Sequence, residues 1–333
     1  MEVLPLSVLD LAMVRDGATS AEALAETAEL AVAAERLGYT RIWVAEHHNM
    51  ATVASTSPSV LMAHIAARTE RIKVGSGGVM LPNHAPLAVA EQFALLEAMH
   101  PGRVDVGVGR APGTDRNTAM ALRGARAPES EDFPRNLIDL MGLLGDVRGE
   151  SGLWQHFRAT PAATSSPSII PLGSSGFSAE LAGLLGLPFG FAHHFDMGGT
   201  LEAVQIYRDS FRPSPVLDEP YTIVTASTLA AETTEEAARL AAPGRLRRLG
   251  LRTGRMHPLL SPGDAMAHPD WPRAASMQVG SIIGTGEAVA EGMHELAEQT
   301  GADELMLHTS THGLDERLRS LELIATAWDP VTV

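Results

Sequence analysis

The sequence predicts a single domain over residues 1–333, folded as an α/β (β/α)8 TIM barrel with loop insertions. Two observations predict this fold. Short apolar segments alternate with segments whose apolar residues recur at helical spacing, and parallel strands need such helical crossovers. Polar and glycine-rich clusters follow several apolar segments, at the end of the barrel where this fold builds its active sites. A length of 333 residues is common for one closed α/β barrel.

The first unit contains the clearest signals for a strand and a helix. Residues 6–11 form a short apolar run, and residues 21–37 place apolar side chains at helical spacing. Thr19 and Glu22 have the spacing of a capping box, and Gly38 is a typical helix stop. These signals predict a strand followed by a helix.

Further units continue the alternation and give eight predicted strands in total. The remaining strands are predicted at residues 41–46, 72–81, 104–109, 168–172, 189–193, 222–229 and 304–309. The remaining helices are predicted at residues 58–68, 87–99, 132–144, 178–185 and 201–211, after a cap formed by Thr233 and Glu236, and at residues 314–328. Residues 145–167 are expected outside the barrel. Residues 249–272 lack clear periodicity and are either a mobile cover over a ligand site or a surface insertion.

Composition narrows the class of ligand. The formal net charge of -15 disfavours binding to nucleic acid, which requires concentrated Lys and Arg, and so favours a small organic ligand. The chain has no cysteine, which excludes a thiolate nucleophile or a thiolate metal site. It also has no basic leader with a long apolar run. We therefore expect a cytoplasmic protein that does not contact a membrane.

Polar residues are concentrated where the predicted strands end. The clusters are Glu46-His47-His48, Gly75-Ser76-Gly77-Gly78, Gly107-Val108-Gly109-Arg110 and Gly173-Ser174-Ser175. Because adjacent strand residues point to opposite faces, His47 and His48 cannot both project in the same direction, and we expect at most one of them to be catalytic. Histidine exchanges protons near neutral pH, so a histidine in the site can act as a catalytic acid or base. The alternative is a purely structural role. Gly77-Gly78 either lets a flat ligand approach the backbone or is a flexible strand segment.

An anion site is predicted where the fifth strand turns into a helix. Ser174, Ser175 and Ser178 lie there, so that backbone amides, hydroxyls and the positive helix N-terminus could converge on a phosphate. Arg110 is a further phosphate partner in this prediction. Ordinary helix capping by serine is the alternative.

Histidine doublets at residues 47–48 and 193–194 raise the question of a metal centre. The first predicted strand has no His-x-His pattern, and the sequence has no His-Glu-x-x-His helix. We therefore predict no catalytic metal.

Taken together, these segments resemble the luciferase-like flavin-dependent monooxygenases, in particular the single-chain bacterial branch related to the luciferase subunits. The resemblance depends on the order and spacing of motifs over most of the chain. Those motifs are Trp43-Val44-Ala45-Glu46-His47-His48, residues 74–82 with Ala85-Pro86, residues 101–110, Leu172-Gly173-Ser174-Ser175, Leu187-Pro188-Phe189 and Gly301-Ala302-Asp303-Glu304-Leu305.

The resemblance implies FMN as the cofactor. It implies that His47 is the catalytic histidine near the flavin. It also implies that Gly77-Gly78 is a non-prolyl cis peptide beneath the isoalloxazine ring. The family's reactive cysteine near the flavin has no counterpart in this chain.

The resemblance also assigns the residues that hold the flavin phosphate. They are Arg110, Ser175 and Ser178, with help from the backbone of Ser174. Arg135 is a candidate for a second phosphate arginine.

The resemblance implies a reaction and partners. A separate flavin reductase supplies reduced FMN (FMNH2), and molecular oxygen then gives a flavin C4a-hydroperoxide that oxygenates a small organic substrate. His47 steers proton transfer so that peroxide is not released. Residues 58–68 and 86–99 are the expected interface of a homodimer. The expected substrate is an aromatic or polyketide intermediate of secondary metabolism, although no residue identifies it.

Three alternatives stay open from the sequence alone. The first is an oxidoreductase that uses the deazaflavin F420 on the same barrel and transfers a hydride without oxygen. The second is a flavin-binding protein without turnover, and the third is a metal-dependent barrel hydrolase. Glu46-His47-His48 favours FMN over the deazaflavin, although the fold alone does not.

Overall fold

The computed structural model describes residues 4–123, 132–195 and 198–328. Its strands, numbered along the chain, are β1 Leu6–Asp10, β2 Arg41–Val44, β3 Lys73–Ser76, β4 Val79–Met80, β5 Val104–Gly109, β6 Ser168–Gly173, β7 Phe189–Phe191, β8 Thr222–Ala230, β9 Ile282–Gly284 and β10 Glu304–His308. Eight of these close a parallel barrel in the order β1-β2-β3-β5-β6-β7-β8-β10, because β10 pairs with both β8 and β1. The predicted (β/α)8 barrel is confirmed.

Helices connect the barrel strands and surround them. In the described ranges they are α1 Ser20–Arg36, α2 Pro58–Ala66, α3 Pro86–Met99, α4 Arg116–Arg123, α5 Phe133–Leu143, α6 Gly176–Leu184, α7 Thr200–Ser210, α8 Thr234–Leu240, α9 Ala242–Thr253, α10 Pro262–Ala267, α11 Trp271–Ser276, α12 Gly286–Thr300 and α13 Leu314–Trp328. The predicted capping box of Thr19 and Glu22 is present at α1. None of these helices is long and apolar enough to cross a bilayer.

The barrel strands are buried on both faces, since successive residues point alternately into the barrel and out toward the helices. In β1, Val8 packs in the outer core and Leu9 in the inner core. In β2, Ile42 and Trp43 divide in the same way. This double burial explains why the strands appear in the sequence as continuous apolar runs.

Charged side chains fill the barrel interior at the N-terminal ends of the strands. Arg41 pairs with Asp105 at 2.7 Å and with Glu304 at 2.8 Å. The Trp43 indole N–H donates to Asp105 at 3.0 Å, and the Tyr221 hydroxyl donates to Glu304 at 2.8 Å. In a barrel of this type, this end contributes to stability, whereas the opposite end carries the chemistry.

Two predicted strands have different boundaries in the structure. The strand predicted at residues 72–81 is divided, because the Gly77–Gly78 peptide is cis and separates β3 from β4. The strand predicted at residues 189–193 ends at Phe191, and His193–Phe195 forms a single 3-10 turn. The second histidine doublet therefore lies beyond a strand end.

Residues 249–272, which lack clear periodicity in the sequence, are largely helical in the structure. α9 continues to Thr253, α10 lies within this stretch, and α11 begins at its end with Trp271. These last two helices have six residues each, too few to show a helical period in the sequence. The prediction also lacks α4, β9 and α12, although Thr285 caps α12 and Gly301 ends it in the left-handed conformation.

Candidate active site

The polar cluster after β2 divides between two sides of the chain. His47 faces a cavity at the C-terminal end of the barrel. Glu46 is fully buried, and its Oε1 lies 2.8 Å from Nε2 of both His48 and His84. The two histidines of the doublet therefore differ in position, since His47 lines the cavity and His48 contacts Glu46.

Glu46 is a fixed negative charge beneath this part of the site. Burial alone raises the pKa of its carboxyl, but hydrogen bonds from His84, His48 and the Met80 backbone N–H lower it below the usual value. The three side chains of Glu46, His48 and His84 also present ligand atoms within 4.8 Å of one another, as a metal site does. Their 2.8 Å contacts equally match N–H···O hydrogen bonds. The absence of a catalytic metal stays a prediction.

The backbone of His47 is hydrogen-bonded, whereas its ring Nδ1 has no partner among the described residues. Its backbone N–H donates to the Ser55 carbonyl at 3.0 Å. Its Nδ1 is buried and has no hydrogen-bond partner among the described residues. Burial lowers the pKa of His47, the charge of Arg247 lowers it further, and Glu46 acts in the opposite direction. The imidazole is therefore neutral at pH 7 and can take up a proton.

The cis peptide at Gly77–Gly78 lies where no side chain fits. A Cβ on Gly77 would lie 2.7 Å from Leu9 Cδ1. A Cβ on Gly78 would lie 2.8 Å from the Gly107 carbonyl oxygen and 2.7 Å from Leu172 Cδ1. Glycine is required at both positions because the neighbouring strands approach so closely.

The turn from β6 into α6 offers donors and positive charge together. Ser175 is the N-cap residue of α6, but its side chain makes no capping hydrogen bond. The guanidinium of Arg110 lies 4.4 Å above the ring of Phe177, in the first turn of α6. Ser178 is buried in the same turn, and Ser174 and Ser175 are exposed. The Ser175 hydroxyl therefore does not act as an ordinary helix cap.

These residues fit a phosphate group such as that of FMN. The first-turn N–H groups of α6 point along the positive end of the helix dipole, and Arg110 adds a full charge beside them. The free Ser175 hydroxyl supplies another donor. Arg135, the other predicted phosphate arginine, is exposed in the first turn of α5.

A cavity of about 590 Å³ opens beside this region. Of the predicted site residues, His47 and Ser174 line it. Its other polar lining residues include a group that the sequence analysis missed: Arg245, Arg247, Arg248 and Arg252 on α9, with His194 and His308. Four arginines within eight residues of an acidic chain were the available signal.

The two additional histidines are neutral parts of the cavity wall. Burial lowers the pKa of His308 to about 4 and holds the pKa of His194 well below its ordinary value. The His308 Nδ1 lies 3.4 Å from the Leu9 carbonyl, and its Nε2 lies 3.0 Å from the Ser310 hydroxyl. A neutral ring with its proton on Nδ1 satisfies both contacts.

Known sequences match nearly the whole chain. The sequence profile of the family described as luciferase-like monooxygenase matches residues 4–304. A luciferase-like monooxygenase of Escherichia coli (strain K12) is 38% identical over 326 residues, covering 97% of this chain and 96% of that protein. The N-acetyl-S-alkylcysteine monooxygenase of Bacillus subtilis (strain 168) is 34% identical over 327 residues, covering 97% of each.

Solved structures extend the match to three dimensions. The crystal structure of apo-MsnO8 is similar with a TM-score of 0.90 and 38% identity over 98% of each chain. The oxygenating constituent of 3,6-diketocamphane monooxygenase from Pseudomonas putida, in complex with FMN, shares the fold with a TM-score of 0.75 and 20% identity over 99% of each chain. An F420-dependent secondary alcohol dehydrogenase shares it with a TM-score of 0.68 and 15% identity over 98% of each chain. With the profile match and the relatives above 30% identity, this chain belongs to the luciferase-like monooxygenase family.

Proposed function

We propose that this enzyme is an FMN-dependent monooxygenase that receives reduced FMN from a separate reductase. One oxygen atom of O2 enters a small organic substrate, the other leaves as water, and the flavin leaves oxidised. The observation that carries the proposal is His47, whose neutral imidazole faces the cavity with an unpartnered, buried Nδ1. Such a group can hold a proton at the reacting centre without a competing partner.

We assign the flavin phosphate to the N-terminus of α6. Arg110 would pair with the phosphate, and the Ser175 and Ser178 hydroxyls and the Ser174 backbone would donate to it. Two observations support this assignment. The Ser175 side chain makes no capping hydrogen bond, and Arg110 lies over the ring of Phe177.

We assign the flavin ring to the region of Gly77-Gly78, because the Gly77 N–H donates to the Val44 carbonyl at 2.8 Å and so holds this peptide beside the strand end that leads to His47. When bound, the reduced flavin supplies the electrons for oxygen chemistry. In this proposal the chain excludes water from the reacting centre, and His47 moves the proton that accompanies oxygen transfer. Glu46 orients this segment through its contacts with His48 and His84.

We also propose how the protein assembles. α2 and α3 expose large apolar side chains that suit a homodimer interface: Val60 at 69%, Leu95 at 48% and Met99 at 51% exposure. In this proposal residues 1–333 form a single barrel domain that acts in the cytoplasm with its reductase. The N-acetyl-S-alkylcysteine monooxygenase relative makes thioethers the first compounds to test as substrates.

Rapid mixing of the anaerobic protein and reduced FMN with oxygenated buffer tests the proposal. We expect a flavin C4a-hydroperoxide, seen by its absorbance, that outlasts the free reduced flavin and decays faster when a thioether substrate is present. Reduced F420 is examined in parallel. Binding of F420 without any interaction with FMN would replace the proposal with hydride transfer, whereas tight FMN binding without oxygen consumption would indicate a flavin carrier.

A further inference from the structure

One helix turns its basic face inward. α9 places Gly244, Arg245, Arg247, Arg248, Leu251 and Arg252 on the cavity wall. Its other face, with Leu246 and Leu249, packs against Ala265 of α10 and Ala274 of α11. The arginines of an amphipathic surface helix normally face solvent. Here α10 and α11 cover the apolar face, so the cationic face borders the cavity.

Of the four arginines of α9 on the cavity wall, Arg247 is the one whose positive charge has no hydrogen-bonded or ion-paired partner among the described residues. In the described ranges of the chain, no hydrogen bond or ion pair involves its half-buried guanidinium. Burial lowers the pKa of Arg247, and no carboxylate among the described residues offsets that effect. No aspartate or glutamate is among the described residues that line the cavity.

Among the described residues, those around Arg247 supply no counter-charge. Its positive charge lowers the pKa of both His47 and His308, so the guanidinium lies close to both rings. Both rings are neutral at pH 7. Arg245 contacts only weak carbonyl acceptors in the described part of the chain, the Ala275 and Met277 oxygens at 3.4 Å. A desolvated cation without a counter-ion is costly, and no described residue offsets the charge of Arg247, so Arg247 favours an anionic ligand.

The remaining wall combines hydroxyl and histidine side chains with a group of apolar ones. Leu11, Met50, Leu229, Leu251, Val279 and Ile283 line it. A ligand that fills this cavity therefore needs an apolar body and one anionic group. The planar fork of arginine matches a carboxylate in particular, because it can donate two parallel hydrogen bonds.

We propose that the substrate of this enzyme is an organic acid whose carboxylate binds Arg247 while its apolar body fills the cavity beside His47. This inference rests on the proposed function, since it names the class of compound that the same site oxidises. In the proposed function the flavin phosphate is a different anion that binds at the N-terminus of α6. Of the residues assigned to it, Ser174 borders this cavity, whereas Arg110, Ser175 and Ser178 do not line it.

Calorimetric titration of the full chain, flavin-free and FMN-saturated, tests the proposal without turnover. The ligands are 3-(alkylthio)propanoates, from methyl to benzyl, and the matched primary amides. We expect the best acid to bind roughly tenfold or more tightly than its amide, as a charged hydrogen bond predicts. Arg247→Met removes this preference. Arg255→Met, an exposed arginine just beyond α9, retains it.

Thermal unfolding of the flavin-free variants separates recognition from a structural role. Arg247→Met should unfold at the same or a higher temperature than the unmodified protein, because the substitution removes a desolvated and unpaired charge. A markedly lower unfolding temperature, equal binding of acid and amide, or no binding of either overturns the proposal. An Arg247→Met variant that weakens FMN but not riboflavin overturns it too, since the guanidinium would then serve the flavin phosphate.

The proposed function can fail separately. Loss of reduced-FMN oxidation chemistry together with an intact acid preference would remove the monooxygenase assignment and leave the carboxylate site standing.

Discussion

The Arg41 guanidinium donates two parallel hydrogen bonds to the Glu304 carboxylate, Nε to Oε1 at 2.8 Å and Nη2 to Oε2 at 2.9 Å. Both side chains are buried, and Arg41 also reaches Asp105 at 2.7 Å. The pair joins β2 to β10, two strands that do not pair directly with each other in the barrel. One cation therefore connects three strands from inside.

Replacing Arg41 tests this connection. Arg41→Met leaves two carboxylates buried without their cation, so the free energy of unfolding should fall by about 3 to 5 kcal/mol. Urea unfolding measures the loss. Arg319→Met is the control, because its ion pairs with Glu232 and Glu322 are exposed and should leave stability nearly unchanged. A loss of less than about 1 kcal/mol for Arg41→Met would show that the buried network contributes little.

The site could be predicted in part because strand ends converge in a closed barrel. Strand segments that periodicity identifies contain or precede the predicted site residues, and the topology then brings these segments to one end of the barrel. The residues are His47, Gly77, Gly78, Arg110, Ser174, Ser175 and Ser178. The cis geometry of Gly77–Gly78 entered through family resemblance, since two glycines permit many conformations.

The remaining site residues depend on long-range packing. His84 contacts Glu46 from 38 residues away, and no local pattern links them. The basic face of α9 is visible in the sequence, but amphipathicity does not reveal which face meets water. That assignment depends on α10 and α11, whose apolar residues cover the opposite side of α9. A covering helix pair can thus reverse the usual orientation of charge.

The neutral buried His308 should make the fold sensitive to acid. Burial lowers the pKa of His308 to about 4 in the folded chain, whereas an unfolded histidine titrates near its ordinary value of 6.5. Between these values the unfolded state binds the proton and the folded state does not, so stability falls as pH drops through this window. The total effect of this one group is on the order of 3 kcal/mol.

His308→Gln measures that contribution. Urea unfolding between about pH 7 and pH 4 should show that the free energy of unfolding falls less steeply with decreasing pH in the variant. The difference in slope corresponds to at most one bound proton. Part of the slope persists, because burial also lowers the pKa of His194. An unchanged slope would mean that His308 is already solvated when the protein is acidified.

The proposed phosphate site at α6 predicts that substitutions there affect the affinity for FMN and the affinity for riboflavin differently. Ser175→Ala and Arg110→Met should each weaken FMN binding by roughly tenfold or more, because each removes a donor to a charged group. Riboflavin has no phosphate, so its affinity should hardly change. Arg36→Met, which removes an exposed arginine from α1, serves as the charge control. Equal losses for FMN and riboflavin would place these residues at the ring or in the fold rather than at the phosphate.

His47 should control how efficiently oxygen consumption yields product. His47→Gln keeps a polar side chain of similar size but cannot take up a proton, so product formed per O2 consumed should fall roughly tenfold or more while FMN affinity stays within a few-fold. His156→Gln, an exposed histidine outside the cavity, should match the unmodified protein. A total loss of FMN binding in His47→Gln would show that the residue holds the cofactor instead.

The pH dependence of the same ratio separates a proton role from a shape role. Burial and the charge of Arg247 lower the pKa of His47, and His48 adds to this while Glu46 opposes it. The ring therefore stays neutral at neutral pH and becomes protonated only below its ordinary titration range. Product per O2 should be constant near pH 7, fall in acid as His47 takes up its proton, and lose that acid limb in His47→Gln. An acid limb that persists in the variant would assign the titration to another group, because the only ring able to produce it at position 47 would be gone.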